Sequence, residues 1–190
     1  LKNYLPLGAI FCERRFLDTP LDEYGTACIA VGMAMNDKPV FLEAQFSGFV
    51  YSMANHIMTH ASRLRERTNG RINQPLTIVL PYGGGIPLIE HHREEEVMPF
   101  VSDPGLILAV PSTVQEFYDM TWAAVASNKP VLLFVPKLLY RDQAAKGDLV
   151  RAIPNLTIEN FGCGLAKDAE VGERGGVTIV SFGRMAYTAL

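Results

Sequence analysis

The sequence predicts an α/β fold with a mostly parallel sheet flanked by helices. Three short apolar runs carry that prediction: Leu76 to Leu80, Leu106 to Val110 and Val131 to Val135. They hold almost no polar residues. Continuous rather than alternating apolarity marks strands buried on both faces, the habit of parallel sheets. Between the last two runs, Ser112 or Thr113 caps a helix reaching roughly Ser127. Strand, helix and strand in that order build α/β layers.

Along the chain, Thr19-Pro20-Leu21-Asp22 reads as a helix start, with Thr19 as cap, Pro20 in the first turn and Asp22 closing the box. The helix runs to about Met35, with Ile29, Gly32 and Met33 among its close-packing positions. Asn36-Asp37-Lys38-Pro39 ends it. Val40 to Gln45 is a short strand. Phe49 to Arg67 is helical, with Met53, Ile57 and Leu64 on one side. Arg63, Arg65 and Arg67 near its end complement the helix dipole and, with Glu66, read first as a solvated helix end and second as an interaction face. From Asp142 to about Gly172 the chain turns mixed and glycine-bearing. Val177 to Ser181 then reads as a strand and Arg184 to Leu190 as a helix. The expected organisation is one domain over residues 1–145, a linker over 146–172, and the opening of a second α/β domain over 173–190.

Composition narrows the function classes. The 190 residues, 48% of them hydrophobic, suffice for one substantial core. The net charge of -3 and a pI near 5.8 do not fit a protein that tracks nucleic-acid phosphates. Cys12, Cys28 and Cys163 lie far apart with no CxxC pair, a usage that fits a reducing compartment, either bacterial cytoplasm or mitochondrial matrix. Mean hydropathy is +0.13, yet no apolar run is long enough to span a bilayer. The excess reads as buried sheet and subunit interface. Leu1 to Phe11 lacks the charged lead and cleavage site of a secretory signal, and without an initiating Met the sequence is expected to begin inside a longer natural chain.

Several short motifs stand in a distinctive order and spacing. They are Asp18-Thr19-Pro20-Leu21-Asp22-Glu23, Val31-Gly32-Met33-Ala34-Met35 and Glu43-Ala44-Gln45-Phe46-Ser47-Gly48-Phe49-Val50-Tyr51. Pro81-Tyr82-Gly83-Gly84-Gly85, His91-His92, Pro104-Gly105-Leu106, Val110-Pro111-Ser112-Thr113 and Leu139-Tyr140-Arg141 follow. Together they resemble the beta subunits of pyruvate and branched-chain 2-oxo acid dehydrogenases, the thiamine-diphosphate-dependent decarboxylating component of those complexes. The resemblance covers about two-thirds of the chain. It implies the pyrimidine module of the thiamine-diphosphate-binding, transketolase-like fold. It also implies an alpha2-beta2 heterotetramer in which the alpha subunit grips the diphosphate through magnesium, and a lipoyl-bearing acyltransferase that takes the acyl group from a small 2-oxo acid. Neither nucleic acid nor membrane is an expected partner.

The same resemblance assigns residues. Glu23 matches the activating glutamate, whose carboxyl hydrogen-bonds a pyrimidine ring nitrogen so that the exocyclic nitrogen takes the thiazolium proton. A partly buried carboxyl with its pKa raised by desolvation suits that work. By its own position Glu23 is merely an acid in a helix's first turn. Phe49 matches the aromatic that packs on the aminopyrimidine, with Phe46 on the same wall; read alone, both are core residues. His92, preferred to His91 because it keeps the family's spacing from Glu23, matches a histidine facing the substrate and the mouth where the lipoyl arm arrives. A metal reading of Glu90-His91-His92 is disfavoured because adjacent histidines point apart. Gly83-Gly84-Gly85 lacks the spacing of a phosphate loop and is expected as a tight turn at positive φ. Some members of the family bind potassium through backbone carbonyls at positions matching Leu76, Ala124, Ser127 and Lys129; the lysine, and a serine where an acid is usual, argue against retention.

The sequence departs from the family after His92, where Arg93-Glu94-Glu95-Glu96 replaces a serine-rich run. Carboxylates beside an anionic substrate are unfavourable unless they point away or pair with arginines. That departure motivates one alternative, a non-catalytic beta-like scaffold. A transketolase-type enzyme holding both cofactor modules in one chain is the other, which the Thr-Pro-Leu-x-Glu and Leu-Tyr-Arg pieces disfavour.

Overall fold

A computed structural model describes residues 15–142 and 180–189. Four strands form one parallel sheet: β1 (Val40–Glu43), β2 (Leu76–Tyr82), β3 (Ile107–Ala109) and β4 (Val131–Pro136), in the order β1-β2-β4-β3. Every residue of β2 and β4 is buried, as continuous apolarity predicts for central parallel strands. Their side chains alternate between two cores. Ile78, Leu80, Leu132 and Phe134 join one, and Val79, Val131, Leu133 and Val135 the other.

Helix α1 (Glu23–Ala34) and helix α2 (Val50–His56) cover the first face, through Ala27, Ala30, Val31, Ala34, Val50 and Met53. Helix α4 (Val114–Val125) covers the second through Ala123 and Ala124. Thr113 caps α4, its side chain accepting from the Glu116 amide at 3.1 Å. The resulting layers are helix, sheet and helix, the predicted fold class.

Three details differ from the expectation. Asp22, not Thr19, caps α1, its carboxylate accepting the Gly25 amide at 2.9 Å. Thr19 and Pro20 instead lie ahead of the helix, where the Asp22 amide donates to the Pro20 carbonyl at 2.8 Å. Second, Ile29 and Met33 stand 55% and 43% exposed, and a Cβ on Gly32 would meet nothing within 4 Å. Among the described residues these positions do not pack into the core; the small residues on the other side of α1 do. Third, the long helix from Phe49 to Arg67 is broken into a 3-10 turn (Ser47–Phe49), α2, a π turn (Ile57–Ala61) and α3 (Leu64–Arg67). Thr59 and Ser62 hydroxyls donate back to the Asn55 and Met58 carbonyls there, a habit that bends helices.

Helix α5 (Arg184–Ala189) stands where a helix is predicted, and Arg184 pairs with Asp142 at 2.7 Å. The linker at 146–172, Cys12, Cys163 and most of the strand expected at Val177–Ser181 lie outside the described residues. Among the described residues no helix is long and apolar enough to cross a membrane.

Candidate active site

The chemistry-bearing residues gather beyond the carboxyl ends of three neighbouring strands. Phe46 and Phe49 follow β1, His91 and His92 follow β2, and Lys137 follows β4. Open parallel sheets bind ligands in the crevice at that edge, because the connecting loops there diverge from a common rigid base.

Each loop is short of freedom. After β1 the chain turns at once into the 3-10 turn that carries Phe49, and the Ser47 hydroxyl donates to the Glu94 carbonyl at 2.5 Å. Gly48 is buried against the loop after β2: a Cβ there would lie 2.5 Å from the His91 carbonyl oxygen and would also strike the Glu94 carboxylate. After β2, Gly83 and Gly85 adopt φ of 84° and 83°, as a tight glycine turn predicts. The chain then reaches the 3-10 turn Glu90–His92.

The rings meet edge to face. Phe46 and His92 stand 4.5 Å apart between centroids, Phe49 and His92 5.6 Å, and Phe49 and His91 5.0 Å. Phe46 and Phe49 are 6.2 Å apart and tilted. All of Phe46, Phe49 and His92 are half-buried. The His92 Nδ1 atom is buried and, among the described residues, has no hydrogen-bond partner. A buried nitrogen left so is costly unless something polar completes it. Flat half-buried walls with one unmet polar atom fit a heteroaromatic ring or a substrate oxygen.

Two members of the acidic run are engaged by neighbouring side chains. Glu94 pairs with His91 at 3.2 Å, and Glu96 accepts the Tyr51 hydroxyl, whose pKa that bond raises. Among the described residues no arginine pairs with these acids. The Arg93 side chain donates instead to the Leu88 carbonyl. Two of the three glutamates therefore tie the histidine loop to itself and to α2.

Glu23 opens α1 and is half-buried. Among the described residues no hydrogen bond or ion pair engages its carboxylate. Its neighbour Tyr24 packs on His56 of α2 at 4.4 Å between ring centroids. The contacts among described residues bring together Phe46, Phe49 and His92 but do not join Glu23 to them. The positions matched to potassium bracket the start of β2 and the turn into β4. There the Ala124 carbonyl is taken by the Ser127 amide at 3.0 Å, and the Ser127 hydroxyl accepts the Lys129 amide at 3.1 Å.

Lys137 escaped the sequence reading. It is 4% exposed, donates to the His92 carbonyl, and sets its ammonium 5.1 Å from the centre of the Phe46 ring. The only signal was a lysine directly after a fully apolar strand.

Residues 4–143 match the family model described as "Transketolase, pyrimidine binding domain". The chain is 40% identical over 129 residues to the pyruvate dehydrogenase E1 component subunit beta of Acholeplasma laidlawii, covering 68% of this chain and 39% of that one. It is 33% identical over 184 residues to the 3-methyl-2-oxobutanoate dehydrogenase subunit beta of Mycobacterium tuberculosis, covering 97% and 50%. It is 30% identical over 180 residues to the 2-oxoisovalerate dehydrogenase subunit beta of Bacillus subtilis, covering 95% and 52%. The chain thus spans about half the length, or less, of these relatives.

Proposed function

The chain belongs to the transketolase pyrimidine-binding-domain family, and on that premise we propose that it is the pyrimidine-binding part of a 2-oxo acid dehydrogenase beta subunit. The observation that carries the proposal is the meeting of Phe46, Phe49 and His92 at one sheet edge, around a buried imidazole nitrogen with no partner. Thiamine diphosphate, when bound, would supply the carbon nucleophile that decarboxylation of a 2-oxo acid needs. The residues of this chain do the rest on their side of the cofactor.

Phe49, with Phe46 beside it, offers a ring wall to the aminopyrimidine, worth roughly 0.5–1.5 kcal/mol beyond area burial. Glu23 hydrogen-bonds a pyrimidine nitrogen and manages the proton there. Two features support that role. The Glu23 carboxylate is uncommitted among the described residues. The connection from α1 to β1 is short, and Asp37 within it accepts the Asn73 amide from the segment leading into β2. The end of α1 therefore lies by the amino ends of the strands. Its 12 residues span about 18 Å, long enough for its opening turn to reach from there to the carboxyl edge of the sheet. The His92 imidazole would act on a carboxylate or carbonyl oxygen of substrate and give or take a proton during acyl transfer.

The alpha subunit of an alpha2-beta2 assembly would hold the diphosphate through magnesium, and a lipoyl domain would accept the acyl group. The exposed Ile29 and Met33 on α1 support burial against a partner. Pyruvate is the first candidate substrate, with branched-chain 2-oxo acids and acetoin as rivals. Bacterial cytoplasm or mitochondrial matrix is the fitting compartment. The contacts of Glu94 with His91 and of Glu96 with Tyr51 weaken the charge argument for a non-catalytic scaffold.

The test is to co-purify the full-length chain with its natural alpha partner and measure decarboxylation over a panel of 2-oxo acids. Release of carbon dioxide that needs both thiamine diphosphate and magnesium supports the reading. Its absence with every acid of the panel counts against it.

A further inference from the structure

The loop that carries His92 is fastened to the end of β4 at two points. At the first, the Leu138 side chain fills the space a Cβ on Gly85 would need, at 2.6 to 3.0 Å. At the second, the Lys137 ammonium donates to the His92 carbonyl and lies over the Phe46 ring. Lys137 is thereby in contact with both the backbone of the histidine and the ring on which the imidazole packs.

We propose that Lys137 is a positioning residue that sets the imidazole of His92 and the ring of Phe46 in register. In its catalytic consequence this rests on the function proposed above; its structural content does not. A lysine 4% exposed keeps its charge only where donors are met, and burial, then the nearby Arg93 charge, lower its pKa. The carbonyl of His92 and the face of Phe46 are the two groups that offset this desolvation. A lysine simply filling core would leave the carbonyl to another donor and need no ring face. Here one ammonium serves both, and the imidazole packed edge to face on Phe46 and Phe49 takes its place from them.

The experiment compares Lys137→Met and Lys137→Gln with the unaltered full-length chain assembled with its alpha partner. The first readout is the rate at which diethylpyrocarbonate modifies His92, located by mass spectrometry, with exposed His60 of the same chain as reference. The Met variant removes both the donor and the charge, and His92 modification should speed up by about tenfold, the factor that one lost charge-assisted hydrogen bond is worth. The Gln variant keeps an amide donor and should fall between. His92 rates equal to those of the unaltered chain in both variants overturn the proposal. Should the Met variant fail to fold, the Gln variant decides on the same criterion.

The second readout is turnover. With an active assembly, the Met variant should lose kcat about tenfold or more with little change in KM, since His92 meets the reacting oxygen rather than holding the substrate. A loss confined to KM contradicts the assignment. An assembly inactive before mutation refutes the proposed function, while the modification rates still judge Lys137.

Discussion

The His92 imidazole meets the Phe46 ring edge to face at 4.5 Å, although the whole of α2, the π turn and β2 separate them in sequence. That contact joins the loop after β1 to the loop after β2. The His92 Nδ1 is buried and, among the described residues, has no partner.

Replacing His92 with Ala should lower acyl transfer to the lipoyl domain by about 10²–10⁴-fold, the usual contribution of a positioned acid or base. Thiamine diphosphate affinity should be nearly kept. Parallel titration of the cofactor and single-turnover acylation separate the two; a collapse of affinity would mean that His92 holds the cofactor instead.

Gly48 is buried where the loop after β1 faces the loop after β2. In Gly48→Ala the new Cβ would strike the His91 carbonyl, 2.5 Å away, and the Glu94 carboxylate. Overpacking against backbone costs about 1–3 kcal/mol. The variant should melt lower and lose turnover together, because its strain falls on the histidine loop. An unchanged melting temperature would show that the loops do not press on each other.

His56 gives the fold a pH dependence. Burial, and then the neighbouring His60, lower its pKa below the ordinary 6.5. The folded state therefore favours the neutral ring, while the unfolded chain takes up a proton as pH drops past that value. Stability from this site is full above about pH 6.5 and declines as pH falls toward the folded pKa. Denaturant melts at a series of pH values should show that loss, and His56→Gln should flatten it. An equal slope in the variant would assign the effect to other groups.

Much of the fold is legible because burial on both faces leaves a plain mark. β2 and β4 are continuous apolar runs, and they prove to be the fully buried centre of the sheet. Thr113 caps α4 as its hydroxyl and position suggest. The start of α1 is not legible, because Thr19-Pro20 and Asp22 both carry capping chemistry and only the turn at Pro20 decides between them. Nor is the buried side of α1, since its two sides are nearly equally apolar: Ala27 and Ala30 bury while Ile29 and Met33 do not. Of the site, the family resemblance nominates Phe46, Phe49 and His92, while their contact with one another is visible only in the structure. Lys137 is invisible by any motif, because a lysine's burial depends on partners contributed by distant segments.

The most direct measurement is lipoyl acylation by the full-length chain, assembled with its alpha partner and carrying Glu23→Gln. An amide has the carboxylate's shape but cannot manage the proton at the pyrimidine nitrogen, so turnover should fall by about 10²–10⁴-fold with the assembly and its melting temperature intact. Near-normal acylation would contradict the account, because some other group would then be activating the cofactor.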